Sequence, residues 1–229
     1  SDVYKRQINT QDKMFIRFSD QEDRTDYVPV STNTAGTFQL DSGSKIVSAA
    51  RGKDYIFIVT DTSAYIMQFV GPPFTFSIRQ VGSNCGAMSQ HSLVHVDGIM
   101  YWMGKSGGFY AYDGGSVKKI TCSVEDFVFT TQTSDDLGFN FGQSEQVFAG
   151  YNTLFTEINW FYCKDGSTQI DRCVTLNYRE GLWTTSSLAR TAYSDKYVLD
   201  NPYATEYNAT ALPSCLLYTS PSPRDLSTS

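Results

Sequence analysis

The chain has 229 residues, 41% of them hydrophobic and 14% aromatic, with 18 basic against 24 acidic side chains and a formal net charge of −6. An acidic balance repels phosphate backbones and so excludes a protein that grips nucleic acid tightly by charge. No run of about 18 apolar residues occurs, so no segment is long and apolar enough for a membrane-spanning helix.

The two ends are set apart first, because fusion and processing remnants carry no folding information. Back-translated, SDVYKRQ (1–7) resembles the transposon mosaic end of a tagmentation sequencing adapter, and CLLYTSPSPRD (215–225) resembles the reverse complement of its partner adapter. The expectation is that residues 1–7 and 215–229 are adapter-derived and pack loosely with no role in the core. Residues 8–214 would then be an internal piece of a longer gene. Setting the ends aside moves the net charge from −6 to −7 and removes Cys215.

MFIRFSD (14–20) reads as a strand, followed by the acidic run QEDRTDY and a long Ser/Thr/Gly-rich loop, STNTAGTFQLDSGS. Short period-2 apolar runs separated by turn residues then recur, and such a recurrence is the primary signal for fold. SKIVSAAR, DYIFIVT, AYIMQF and FSIRQV form one set over 44–81, joined at Gly52-Lys53, Asp61-Thr62-Ser63 and the Gly-Pro-Pro stretch at 71–73. SLVHV, GIMYWMG, GFYAYD and SVKKI form a second over 92–120, punctuated by Asp97-Gly98, Ser106-Gly107 and Gly114-Gly115. SVEDFVFTT (123–131) predicts one short helix, with Ser123 as N-cap and Glu125 and Asp126 in its first turn, where the helix dipole favours anions. SDDLGFNFGQS then reads as a connecting loop.

EQVFAGY, EINWFYC, IDRCVTLNY and LWTTS form a third set over 145–186, and TAYSD with KYVLDN opens another at 191. First strands begin near Ile46, Leu93 and Val147, offsets of 47 and 54 residues, and four short antiparallel strands recurring at that interval match the blades of a β-propeller. The expected fold is therefore all-β, a partial propeller of four-stranded antiparallel blades with one short helix. Phe57, Trp102 and Phe161, on the second strand of each set, would pack between blades. A β-sandwich with the same strand number is the alternative. An incomplete set of blades would leave an apolar face uncovered and the fragment poorly stable.

The chemistry-bearing residues are sparse. His91 and His95, the two histidines of the chain, are four apart, but HSLVH reads as a strand entry without an acidic companion, so no metal site is assigned. Asp20, Glu22, Asp23 and Asp26 have the density of a calcium loop yet lack its central glycine and closing glutamate. Cys85, Cys122, Cys163 and Cys173 contain no CxxC pair, and unpaired thiols are favoured over a Cys163–Cys173 bridge. No GxSxG elbow or phosphate-binding glycine loop is present; Gly104, Gly107 and Gly108 belong to a hairpin. KDGST (164–168) matches half of a sialidase Asp-box, and Asn208-Ala-Thr210 is formally a glycosylation sequon. No catalytic, cofactor-binding or metal-ligating residue is assigned, and no cofactor. The many aromatic rings would serve as inter-blade packing or as a glycan-stacking surface.

MFIRFSDQEDRTDYVP, SGSKIVSAARGKDYIFIVTDTSAYIMQFVGPPFTFSIRQVGSNCG, VDGIMYWMGKSGGFYAYDGGSVKKI and the hairpin LNYREGLW together resemble the β-propeller region of short-tailed phage structural proteins: the tail hub, nozzle or packaged-DNA stabilisation proteins. The likeness runs from about Met14 to Ser194. It implies a non-enzymatic virion component, made in the host cytoplasm and assembled with other tail and portal or connector proteins, without a membrane. A homo-oligomeric ring that retains packaged DNA, touches it transiently and forms part of the ejection channel would follow. An acidic lining would let such a polyanion slide. A carbohydrate- or receptor-binding propeller, including a tail glycosidase, is the other class.

Overall fold

In the computed structural model, residues 13–21, 23–71, 73–130 and 138–188 are described in full, and 6–8, 190–194, 203–206 and 216–217 as strand backbone alone. The strands fall into five separate antiparallel sheets taken in chain order. Sheet I holds β1 (Arg6–Ile8), β2 (Phe15–Phe18) and β3 (Gly36–Gln39). Sheet II holds β4 (Ile46–Arg51), β5 (Tyr55–Thr60), β6 (Ser63–Phe69) and β7 (Phe76–Ser83). Sheet III holds β8 (Leu93–Val96), β9 (Ile99–Met103), β10 (Phe109–Tyr112) and β11 (Val117–Ile120). Sheet IV holds β12 (Phe148–Asn152), β13 (Glu157–Tyr162), β14 (Arg172–Asn177) and β15 (Leu182–Ser187), and sheet V holds β16 (Arg190–Ser194), β17 (Tyr203–Glu206) and β18 (Leu216–Leu217).

Every pairing joins strands that follow one another along the chain. Tight turns make this possible: at Asp97-Gly98 both residues take positive φ (49° and 84°), as a two-residue turn matching strand twist requires. Three apolar layers then set the sheets in series. Ile16, Phe18 and Leu40 of sheet I and its exit pack against Ile58, Tyr65 and Met67 of sheet II. The opposite face of sheet II, Phe57, Val59 and Ile66, meets Met100, Trp102 and Tyr112 of sheet III. The other face of sheet III, Val94, Met103 and Phe109, meets Ile158, Trp160 and Leu176 of sheet IV. Adjacent residues of one strand thus serve different layers, which is why YIFIVT at 55–60 is apolar without interruption. A sandwich has two sheets around one core. Serial face-to-face packing of four-stranded sheets is the partial propeller expected from the repeat.

The tryptophans fasten the series. Trp102 Nε1 donates to the Cys85 carbonyl (2.7 Å), in the connection from sheet II to sheet III. From sheet IV, Trp160 Nε1 donates to the Ser92 carbonyl (3.0 Å) and Trp183 Nε1 to the Thr121 carbonyl (3.0 Å), residues that flank sheet III. Each indole so anchors its own sheet to backbone laid down one sheet earlier. Phe57 and Trp102 lie between sheets II and III, 5.2 Å apart, as the repeat predicts. Phe161 is buried on the other side of its strand from Trp160, stacked on Phe148.

Four details correct the sequence reading. The helix is Glu125–Phe129, and its N-cap is Val124, with no side-chain cap bond, so Ser123 does not cap it. The Ser/Thr/Gly-rich loop contains strand β3, held in register by pairs such as Phe18 with Gly36. A glycine is needed at 36 because a Cβ there would run into the Phe18 ring. The loop ending in FGQS contains a 3-10 helix at Phe141–Gln146, whose start Asn140 caps by accepting from the Gly142 amide. The partner of β16 is β17 at Tyr203–Glu206; residues 195–202, which hold KYVLDN, lie outside the described residues. In the terminal stretches, β1 pairs Arg6 and Gln7 with Phe18 and Arg17, and β18 pairs Leu216 and Leu217 with Glu206 and Thr205. Those short pieces occupy sheet edges. Whether their side chains pack loosely lies outside the described residues.

Candidate functional site: the cleft along the first strands

The first strands of sheets II, III and IV run side by side. A parallel bridge joins His91 to Phe148, the Ala149 amide donates to the His91 carbonyl (2.8 Å), and Ser48 Oγ donates to the Gln90 carbonyl (2.8 Å). In front of these strands opens a cleft of about 780 Å³, within the range of ligand sites. Its walls are apolar along Ile46, Val47, Leu93 and Ala149, and its polar side chains are Ser48, Arg51, Gln90, His91, His95 and Tyr151. Both histidines of the chain face this one space. His95 lies opposite Met100 in the β8–β9 ladder, and its buried Nε2 has no hydrogen-bond partner among the described residues, a state that costs about 1–3 kcal/mol.

Among the described residues no carboxylate lines the cleft. The acidic lining expected for a DNA-sliding channel is therefore not what these three strands present. His91 and His95 share the cleft, yet among the described residues no group of three or more His, Cys, Asp or Glu side chains is placed to hold a metal.

The strongest anionic centre lies elsewhere, at the β5–β6 turn. Asp61 accepts from the Ser44 amide (2.8 Å), from Ser44 Oγ (2.6 Å) and from Lys105 Nζ (3.3 Å). Burial alone would push its pKa up, but these bonds outweigh it and hold the carboxyl far below the ordinary range. Gly86 crosses directly over this turn, where a Cβ would collide with the Asp61 carbonyl. The whole constellation locks the entry of β4 and the exit of sheet II to one turn, a structural task.

The remaining candidates resolve into turns. Asp20 accepts from the Thr34 amide and hydroxyl, Asp23 from the Thr25 amide and hydroxyl, and Asp26 from the Val28 amide and from Asn33 Nδ2. Each carboxylate is thus occupied within its own loop, which leaves no convergent calcium cage there; Glu22 lies outside the described residues. Cys85, Cys122, Cys163 and Cys173 are free and buried. Cys173 stands opposite Phe161, so the ladder does not bring it across from Cys163. Burial pushes the Cys85, Cys122 and Cys163 thiols up to about 11. KDGST forms a turn in which the Lys164 amide donates to Asp171 and the Ser167 amide to the Lys164 carbonyl. Gly104, Gly107 and Gly108 close a hairpin, with Gly107 and Gly108 at positive φ. Asn208 and Thr210 lie outside the described residues.

Apart from Phe141, in the connection from sheet III to sheet IV, the exposed large apolar side chains among the described residues share one end of the stack. Four antiparallel strands return the chain to the end where it entered, so first-to-second and third-to-fourth turns lie together at the other end. Phe69, Val70 and Phe74 sit at the β6–β7 turn, Leu154 and Phe155 at the β12–β13 turn, and Leu182 just after the β14–β15 turn. Val28 and Val30 lie in the β2–β3 loop, which Thr75 Oγ1 ties to the same end through the Thr34 carbonyl (3.3 Å). Sequence reasoning missed both this clustering and the cleft. Hydropathy along the chain does not say which turns share an end.

No protein-family model and no curated protein matches the chain. Among solved structures, Hsv2 of Kluyvelomyces marxianus is similar at 7% identity and a TM-score of 0.47, over 89% of this chain and 56% of that one. A Synechocystis apocarotenoid oxygenase mutant is similar at 11% identity and a TM-score of 0.39, over 88% of this chain and 51% of that one. The chain spans about half the length of these structures, and the partial propeller rests on its own sheets, turns and apolar layers.

Proposed function

We propose that the chain is part of a non-enzymatic structural protein of a short-tailed phage virion, a propeller of the tail hub or nozzle. It assembles into a homo-oligomeric ring against portal or connector proteins and helps retain and then pass packaged DNA. Its place is the virion tail after synthesis in the host cytoplasm. The observation that carries this reading is the gathering of exposed Phe69, Val70, Phe74, Leu154, Phe155 and Leu182 at one end of the stack, the kind of patch that marks a protein–protein contact. The strand phrases shared with phage tail propellers supply the virion setting. The genes that neighbour this one on a genomic contig test it. A portal or head-completion gene alongside is the expected result, and metabolic neighbours overturn the proposal.

A receptor- or carbohydrate-binding propeller is the second reading, favoured by the open cleft with the Tyr151 ring beside Arg51. Saturable binding of the full-length product to host-surface glycans, abolished by Tyr151→Ala, would support it over the first.

A further inference from the structure

We propose that Asp165-Gly166, in the loop between β13 and β14, is a modification site where the main chain closes to a succinimide and reopens mainly as isoaspartate, while the fold protects the other Asp-Gly pairs. The sequence holds three such pairs, Asp97-Gly98, Asp113-Gly114 and Asp165-Gly166, and all three are exposed. At the third, the Gly166 amide donates to Asp165 Oδ1 (3.0 Å), which brings its nitrogen up to the carboxyl carbon it attacks. Glycine leaves that nitrogen uncrowded, and residues 163–171 lie outside the β13–β14 ladder, so their torsions can follow ring closure. The new nitrogen–Cγ bond forms as the carboxyl hydroxyl and the amide proton leave as water. Water then adds at either ring carbonyl and opens the ring to aspartate or isoaspartate, with no oxidant or cofactor. Asp113 is held otherwise: Lys118 Nζ (2.7 Å) and the Gly115 amide (3.1 Å) keep its carboxyl ionised, and a carboxylate has no hydroxyl to lose as water. Asp97 sits at φ 49° in a two-residue turn with Val96 paired to Ile99, so its backbone cannot rotate into the ring. Isoaspartate adds one carbon to the main chain. That insertion follows the Asp165 amide, which donates to the Gly138 carbonyl (2.6 Å), and precedes the Ser167 and Thr168 carbonyls, which accept from Asn140 Nδ2 (2.9 Å) and Gln146 Nε2 (3.1 Å). The modification therefore loosens the loop's hold on the connection from sheet III to sheet IV. This site is independent of the virion reading, which rests on the apolar end of the stack.

The three pairs make the test internally controlled. The native chain is aged at mildly acidic pH beside the same chain aged in urea at that pH. Both are then denatured and digested with a protease that cuts before aspartate but not before isoaspartate. The expected result for the native chain is progressive loss of the cut before Asp165, with the cuts before Asp97 and Asp113 kept. In urea, where the fold protects nothing, the three cuts should be lost together. Methyl transfer by an isoaspartyl-specific carboxyl methyltransferase should label the native-aged chain on the fragment that has lost its cut. Lys118→Gln, a change at an exposed side chain, should bring on loss of the cut before Asp113 as well. A cut before Asp165 that persists, equal loss at all three pairs in the native chain, or the same selectivity in urea overturns the site. If Asp113 stays protected in Lys118→Gln, the ionic protection assigned to it is overturned.

Discussion

Replacing Trp160 by phenylalanine tests whether the sheets are fastened in series as described. The indole is fully buried between sheets III and IV, 4.9 Å from the Phe109 ring and 6.0 Å from the Trp183 ring, and its N–H satisfies the Ser92 carbonyl at 3.0 Å. Phenylalanine keeps an aromatic ring but strands that carbonyl, at about 1–3 kcal/mol for a buried unsatisfied group. It also leaves a void and weakens ring contacts worth about 0.5–1.5 kcal/mol. The combined loss is about 2–4 kcal/mol, a large part of the stability of any domain. For a chain of this size that corresponds to a fall in Tm of about 5–15 °C. Urea unfolding followed by far-UV circular dichroism, with the parent and Trp183→Phe alongside, measures it. Trp183 is buried too but retains 8% exposure against none for Trp160, so its replacement should cost somewhat less. If Trp160→Phe unfolds within about 0.5 kcal/mol of the parent, the indole tether does not hold sheet IV to sheet III and the serial account fails.

Gly86→Ala should abolish folding or lower Tm beyond the Trp160 variant, because the added Cβ meets Asp61 backbone, which cannot swing aside; thermal melts decide it. Asp61→Asn should destabilise at neutral pH, and its folded carboxyl lies below the ordinary 3.8. The contribution of that carboxylate is complete above that ordinary value and is lost as pH falls below it, so the urea-midpoint gap between parent and variant should be flat down to about pH 4 and shrink beneath. Cys85, Cys122 and Cys163 should resist a thiol-specific chromogenic reagent in the native state at neutral pH and react promptly in urea, since burial keeps them protonated. Rapid native labelling of any of the three, resolved by peptide mapping, would contradict their placement. Phe74→Asp should reduce self-association of the full-length product in analytical ultracentrifugation without lowering Tm, because Phe74 is exposed at the apolar end.

The blades were legible because their cause is local. Alternation along FYAYD, glycine turns such as Asp97-Gly98 and the spacing of Ile46, Leu93 and Phe148 all act within one hairpin or one repeat. Where a neighbour outside that range decided the outcome, the residues misled. GTFQ at 36–39 reads as loop because glycine and threonine precede it, yet it becomes β3 because Phe18 lies over Gly36. Ser123 has the side chain of a cap, but the helix starts two residues later. For the cleft, the four-residue spacing of His91 and His95 was visible, whereas Arg51, which lines the same cleft, comes from a different sheet. No spacing rule links residues that only blade packing brings together.

The pairing of every strand with its sequence neighbour bears on how the protein is made. First strands begin at Ile46, Leu93 and Phe148, so each blade's hydrogen bonds can close within about fifty residues of chain. On a ribosome delivering about 5–20 residues per second, one blade's worth of chain emerges every few seconds, with all its strand partners already present. Only its leading apolar face, such as Val94, Met103 and Phe109 on sheet III, waits for the next blade. The indole bonds then act backwards in time, since Trp160 and Trp183 close onto carbonyls exposed one blade earlier. Translation order thus doubles as assembly order, and a pause between blades would leave one greasy face in search of a partner for as long as the pause lasts.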